Sequence, residues 1–102
     1  MKKTILLLTL FLLIFEGFSC SSNFIVPAKY YIDKKDLSNA EKYIVKEINI
    51  NPNSAEAYYL LGYVKAEQDS ITKMEEYFSK SLQISDFYKD KIEEARAFYN
   101  KK

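Results

Sequence analysis

The chain has 102 residues, 48% of them hydrophobic and 28% charged, which allows one domain at most and gives it apolar mass enough for a core. Its 15 basic and 14 acidic residues nearly cancel, so no overall field draws it to nucleic acid or to an anionic membrane surface. With no His, one Cys and two Gly, zinc centres, Cys–His nucleophiles, Ser–His–Asp triads, internal disulfides and phosphate-cradling loops are excluded.

The chain opens with Lys2 and Lys3, then an apolar run from Ile5 to Phe15 broken only by Thr9 and stopped by Glu16. A membrane-spanning helix needs about 20 apolar residues, so this run is too short to cross. A charged start, a short apolar run and then small residues predict a secretory signal peptide over residues 1–19. The sequence Gly17-Phe18-Ser19-Cys20 resembles a bacterial lipoprotein signal. That resemblance implies cleavage before Cys20, a diacylglycerol on its sulfur and an acyl group on its amine. Gly17 and Phe18 depart from the usual Leu and Ala or Ser of that family. The alternative is an ordinary secretory cut at the same bond, leaving a free thiol at the mature N-terminus. On the lipidated reading residues 20–27 are a tether reaching at most ~28 Å at ~3.5 Å per residue.

Five helices are predicted beyond it. Pro27 suits a first helical turn and opens a short helix over 28–35. A second runs over 37–50 and is stopped by Pro52; the others cover 54–68, 71–84 and 87–100. Tyr58, Leu61, Gly62 and Ala66 form one stripe of the third helix, and Ile71, Met74, Phe78, Ser81 and Leu82 one stripe of the fourth. Ser38 with Glu41, Asn53 with Glu56, and Thr72 with Glu75 have the spacing of capping boxes, and Asp86 is placed to cap the last helix. No segment alternates long enough for a strand.

The helices repeat at an offset of 34 residues: Glu41/Glu75, Tyr43/Tyr77, Lys46/Lys80 and Ile50/Ile84 are identical pairs. Phe24/Tyr58, Val26/Leu60 and Ala28/Gly62 extend the match upstream, and Ile92 falls under Tyr58 in a third, partial copy. Residues 53–86 resemble the tetratricopeptide repeat, a helix-turn-helix unit of 34 residues. Tyr58 takes its large aromatic place, Leu61-Gly62 its Leu-Gly pair, Phe78 the aromatic of its second helix and Ser81 a small position. Lys65, Met74 and Asp86 depart from its aromatic, Ala and Pro. In the earlier unit Ala40, Ile44 and Pro52 fit, while Pro27 replaces the Leu; in the last, Arg96 replaces a small residue and marks a capping helix. The resemblance implies an all-α fold, a short helix-turn-helix solenoid over residues 28–100. Gly62 costs about 1 kcal/mol against Ala in a helix interior, so it is expected where helices 54–68 and 71–84 touch closely.

No catalytic constellation emerges. Glu75-Glu76 and Glu93-Glu94 are adjacent in sequence and so diverge on a helix. Neither a cofactor, a metal nor a small-molecule substrate is expected. Tyr59 and Tyr63 stand four apart, off the core stripe, on the face that in the resembled family lines a groove for peptides and partner helices. The competing expectation is that they pack against the first helix through Tyr30 or Tyr31. The carboxylate-clamp pattern of chaperone-binding members wants Lys and Asn at those two places. The functional expectation is a non-enzymatic protein-interaction module, lipid-anchored in a bacterial envelope at the outer membrane or cell surface. The alternative is a structural or antigenic surface protein with no groove-bound partner.

Overall fold

The computed structural model describes residues 24–101; the predicted signal peptide and Cys20 lie outside them. Among the described residues the fold is all-α, with α1 (Ile25–Asp33), α2 (Leu37–Ile50), α3 (Ala55–Glu67), α4 (Ile71–Ile84) and α5 (Lys89–Asn100) and no strand. Successive helices are antiparallel pairs: α1 packs on α2, α2 on α3, α3 on α4, and α5 on both α4 and α3.

The helix bounds differ from the predicted ones chiefly at the ends. α1 begins at Ile25, three residues early, because Pro27 falls inside its first turn, where its missing N–H costs nothing. The predicted tether is shortened accordingly. Phe24 is already fixed: its N–H donates to Glu47 Oε1 at 2.8 Å and its ring lies 6.1 Å from that of Tyr43.

The capping residues are not the predicted ones. Asp36 caps α2 by accepting the Asn39 N–H, and Ser54 caps α3 by accepting the Ala57 N–H at 3.1 Å. α4 follows Ser70 without a side-chain cap, and α5 follows Tyr88, not Asp86, also without one. The three glutamates of the expected capping boxes instead tie helices together. Glu56 meets Lys29 of α1 at 2.6 Å, Glu41 meets Lys65 of α3 at 2.8 Å, and Glu75 meets Arg96 of α5 at 2.9 Å.

The 34-residue offset is written in the backbone. α1 and α3 both end in a left-handed residue, Lys35 at φ 62° and Asp69 at φ 63°. The Asp36 N–H then donates to the Tyr31 carbonyl at 2.9 Å, and the Ser70 N–H to the Lys65 carbonyl at 2.8 Å, the Schellman closure. Side chains repeat as well. Phe24 and Tyr43 sit 6.1 Å apart with Lys46 Nζ 5.6 Å from the Phe24 ring. Tyr58 and Tyr77 sit 6.2 Å apart with Lys80 Nζ 5.6 Å from the Tyr58 ring. These cation–π contacts at exposed lysines contribute about 0.5–1 kcal/mol each.

The apolar interior forms two clusters. One gathers Ala28, Ala40, Ile44, Ala57, Leu61 and Val64, the other Ala66, Met74, Phe78, Ile92 and Tyr99. α3 belongs to both, and buries Ala57, Leu60, Leu61, Gly62, Val64 and Ala66, because it has neighbours on most sides.

Candidate binding groove

The residues expected to pack the repeat sit at the α3–α4 joint. Leu61 and Phe78 are buried, and Tyr58 is half-buried against Tyr77. A Cβ on Gly62 would stand 2.5 Å from Phe78 Cδ1 and 3.2 Å from the Met74 carbonyl oxygen, so the Phe78 ring lies directly on the bare backbone. Ser81 is fully buried and its hydroxyl donates to the Ala55 carbonyl at 2.8 Å, which ties α4 to the start of α3. At the equivalent place of the first unit stands Glu47, only 4% exposed. Its carboxylate receives the Phe24 N–H at the head of α1, where the helix dipole favours an anion and α1 has no cap of its own.

Tyr59 and Tyr63 lie side by side on α3 and are half-buried. They do not pack through Tyr30 or Tyr31. Those two rings meet each other edge-on at 5.2 Å, and Tyr31 stacks on Tyr43 at 5.6 Å. Tyr59 instead stacks on Phe78 at 6.0 Å and on Tyr88 at 5.1 Å, while Tyr63 meets the edge of Tyr99 at 6.2 Å. The pair therefore lines two adjoining shallow depressions. The first, about 390 Å³, is walled by Lys29, Ile32 and Asp33 of α1 and by Lys91 of α5. The second, about 430 Å³, is walled by Lys91, Glu94 and Phe98 of α5. Together they make a groove across the first helices of the successive units.

The groove is aromatic at its floor and charged at its walls. Burial pushes the Tyr59 phenol up, with Tyr63 and Glu94 adding to it, so the hydroxyl stays neutral and able to donate. Tyr88 is pushed up by burial and then by Glu56. Glu56 also holds the Lys29 ammonium in its charged form through a hydrogen bond, which raises its pKa. At the far end Tyr99 OH donates to Glu67, and burial with that bond raises its pKa strongly.

Tyr88, Lys29 and Lys91 were not singled out in the sequence. Tyr88 had a signal, an aromatic at the head of the last helix; the lysines had none, since an exposed lysine on a surface helix is ordinary. Among the described residues no group of three or more His, Cys, Asp or Glu could hold a metal ion. No described helix is long and apolar enough to cross a membrane. In comparisons with known protein families, curated proteins and solved structures, the chain matches none.

Proposed function

We propose that the protein is a non-enzymatic interaction module of the tetratricopeptide-repeat kind, held to a bacterial envelope membrane through acylated Cys20. On this reading it presents the Tyr59–Tyr63 groove to a peptide or helix of a partner protein. The observation that carries it is the Tyr59–Tyr63 pair itself, two half-buried tyrosines at the floor of a groove with charged walls. Tyrosine suits such a place, since it offers a large apolar face and a polar tip with few rotatable bonds to order. The repeated turns and the close Gly62–Phe78 joint support the family reading. The lipoprotein-like Gly17-Phe18-Ser19-Cys20 supports the anchor and a place at the outer membrane or cell surface.

One observation favours the second reading, a structural surface protein without a groove ligand. Tyr59 is stacked on two rings and so already serves packing. Tyr63 separates the two readings, because it has the looser contact. Tyr63→Ala is expected to shift stability by about 1 kcal/mol or less, as for a partly exposed position. It should also abolish the partner that crosslinks to the native protein in membranes, since truncating an interface aromatic commonly costs about 2 kcal/mol of binding. A partner retained by Tyr63→Ala would defeat the groove. Fractionation of Cys20→Ala tests the anchor: release from membranes is expected, and retention would defeat it.

A further inference from the structure

We propose that the solenoid edge from which the chain runs back to Cys20 rests on the bilayer surface, with Val26, Ile50, Ile84 and Phe87 entering the headgroup layer. The inference depends on the acylation of Cys20 proposed above, and it fixes how the groove is presented.

The first observation is distance. Phe24 is pinned to α2 by its N–H bond to Glu47 and by its ring contact with Tyr43. Only Ser21, Ser22 and Asn23 separate it from Cys20. Four Cα steps reach at most ~14 Å. Acyl chains on Cys20 would hold that residue at headgroup level, so the head of α1 cannot stand far from the membrane.

The second observation is what this edge displays. Helices α1, α3 and α5 begin on it, while α2 and α4 end on it. The shallow cleft that joins Val26 to Glu47 and Asn51 and the neighbouring one that joins Pro52 to Ile84 run along it. Its exposed apolar side chains are Val26 (70% exposed), Ile50 (57%), Ile84 (36%) and Phe87 (79%). The opposite edge carries Asp33, Lys34, Lys35 and Asp36 at one turn and Gln68, Asp69 and Ser70 at the other. Of the exposed large apolar residues described, Tyr30 and Phe98 lie toward it, the first with Lys34 Nζ 5.5 Å from its ring and the second bordering the groove, while Val45 stands midway along α2.

The third observation is charge. Exposed Lys46 and Lys80 stand one turn in from Ile50 and Ile84, and Lys89 follows Phe87, against Asp86 and Asp90. Lysines behind an apolar rim reach headgroup phosphates while their stems cover apolar surface. The charge excess is small, so the contact is apolar insertion at an edge already delivered by the tether. A contact too weak to bind alone suffices when the anchor makes it intramolecular. In this pose the membrane lies beside the repeat stack and the groove opens laterally.

The chain contains no Trp, so single substitutions report by fluorescence. Val26→Trp, Phe87→Trp and Asn100→Trp would be made in the full chain, processed in cells and purified into vesicles containing anionic lipid. Asn100 lies at the other end of α5 from Phe87, about 20 Å along the helix axis. Flotation with vesicles is expected for all three. Trp emission should shift to the blue and be quenched by headgroup-level spin-labelled lipid for the changes at Val26 and Phe87, and not for the change at Asn100. Flotation without shift or lipid quenching at positions 26 and 87 overturns the edge contact and leaves the anchor standing. Failure to float overturns both. A blue shift that grows with protein concentration and ignores lipid quencher assigns the edge to a second copy of the chain and overturns the proposal.

Discussion

Units 24–52 and 58–86 share a backbone and solve the same joint with different side chains. In the second unit Gly62 leaves room and Phe78 fills it. In the first, Ala28 and Ile44 stand at those two places and both are fully buried. A methyl is added on one helix and an aromatic ring becomes a smaller aliphatic group on the other. The polar tie between helices differs more: Ser81 donates to the Ala55 carbonyl, whereas Glu47 accepts from the Phe24 N–H. The lesson is that the repeat keeps a joint and not a residue: bulk is traded between the two facing positions, and the polar tie changes with it.

The largest break in this comparison is expected from Gly62→Leu, which should destabilise by about 2–3 kcal/mol through overpacking against Phe78. Gly62→Ala should lose less, and Gly62→Ala with Phe78→Ile, which copies the first unit, should recover part of that loss. A double-mutant cycle from thermal melts measures the coupling, and strict additivity would contradict the shared-joint account. Next comes Glu47→Ala, expected to cost about 2 kcal/mol as a charge-assisted bond to a helix head, against about 1 kcal/mol for Ser81→Ala. Hydrogen exchange should place the Glu47→Ala damage in α1. Equal costs would mean the two ties are equivalent.

A smaller effect separates the halves by pH. The phenols pushed up, Tyr59, Tyr88 and Tyr99, sit on α3 or at α5. A raised folded value means this stability is fully present below the ordinary phenol value near 10 and is lost as pH climbs above it. Melts should therefore weaken above pH about 10, and Tyr99→Phe should flatten that fall while lowering stability at neutral pH through loss of the Glu67 bond. The smallest effect is a gain. Lys35→Gly should stabilise by up to about 1 kcal/mol at its left-handed position, and Asp69→Gly by less, because Asp tolerates that conformation better.

The existence of the helices and their offset were legible because hydrophobic period and Pro52 are local signals. The glutamates were misread because a Glu three residues after a capping residue looks the same whether it turns back to its own helix or out to another. Glu41, Glu56 and Glu75 all face a cation on a neighbouring helix, and only tertiary packing brings that cation close. Glu47 carried a signal that was missed: it continues the Ala40–Ile44 stripe and aligns with small Ser81, so a carboxylate on a core stripe had to have a donor. At the groove, the i, i+4 spacing of Tyr59 and Tyr63 was readable, but Tyr88 stacking on Tyr59 joins residues 29 apart and follows from the fold alone.

The matching turns after α1 and α3 have an evolutionary consequence. A joint that closes the same way twice can close a third time. Copying the segment that begins at Ser54 and ends ahead of Tyr88 would hand each new helix a partner face that already exists, and α5 would pack on the last copy as it packs on α4 and α3. Such a chain can lengthen by duplication of a gene segment without redesign of its interior, and the groove would lengthen with it, one pair of tyrosines at a time.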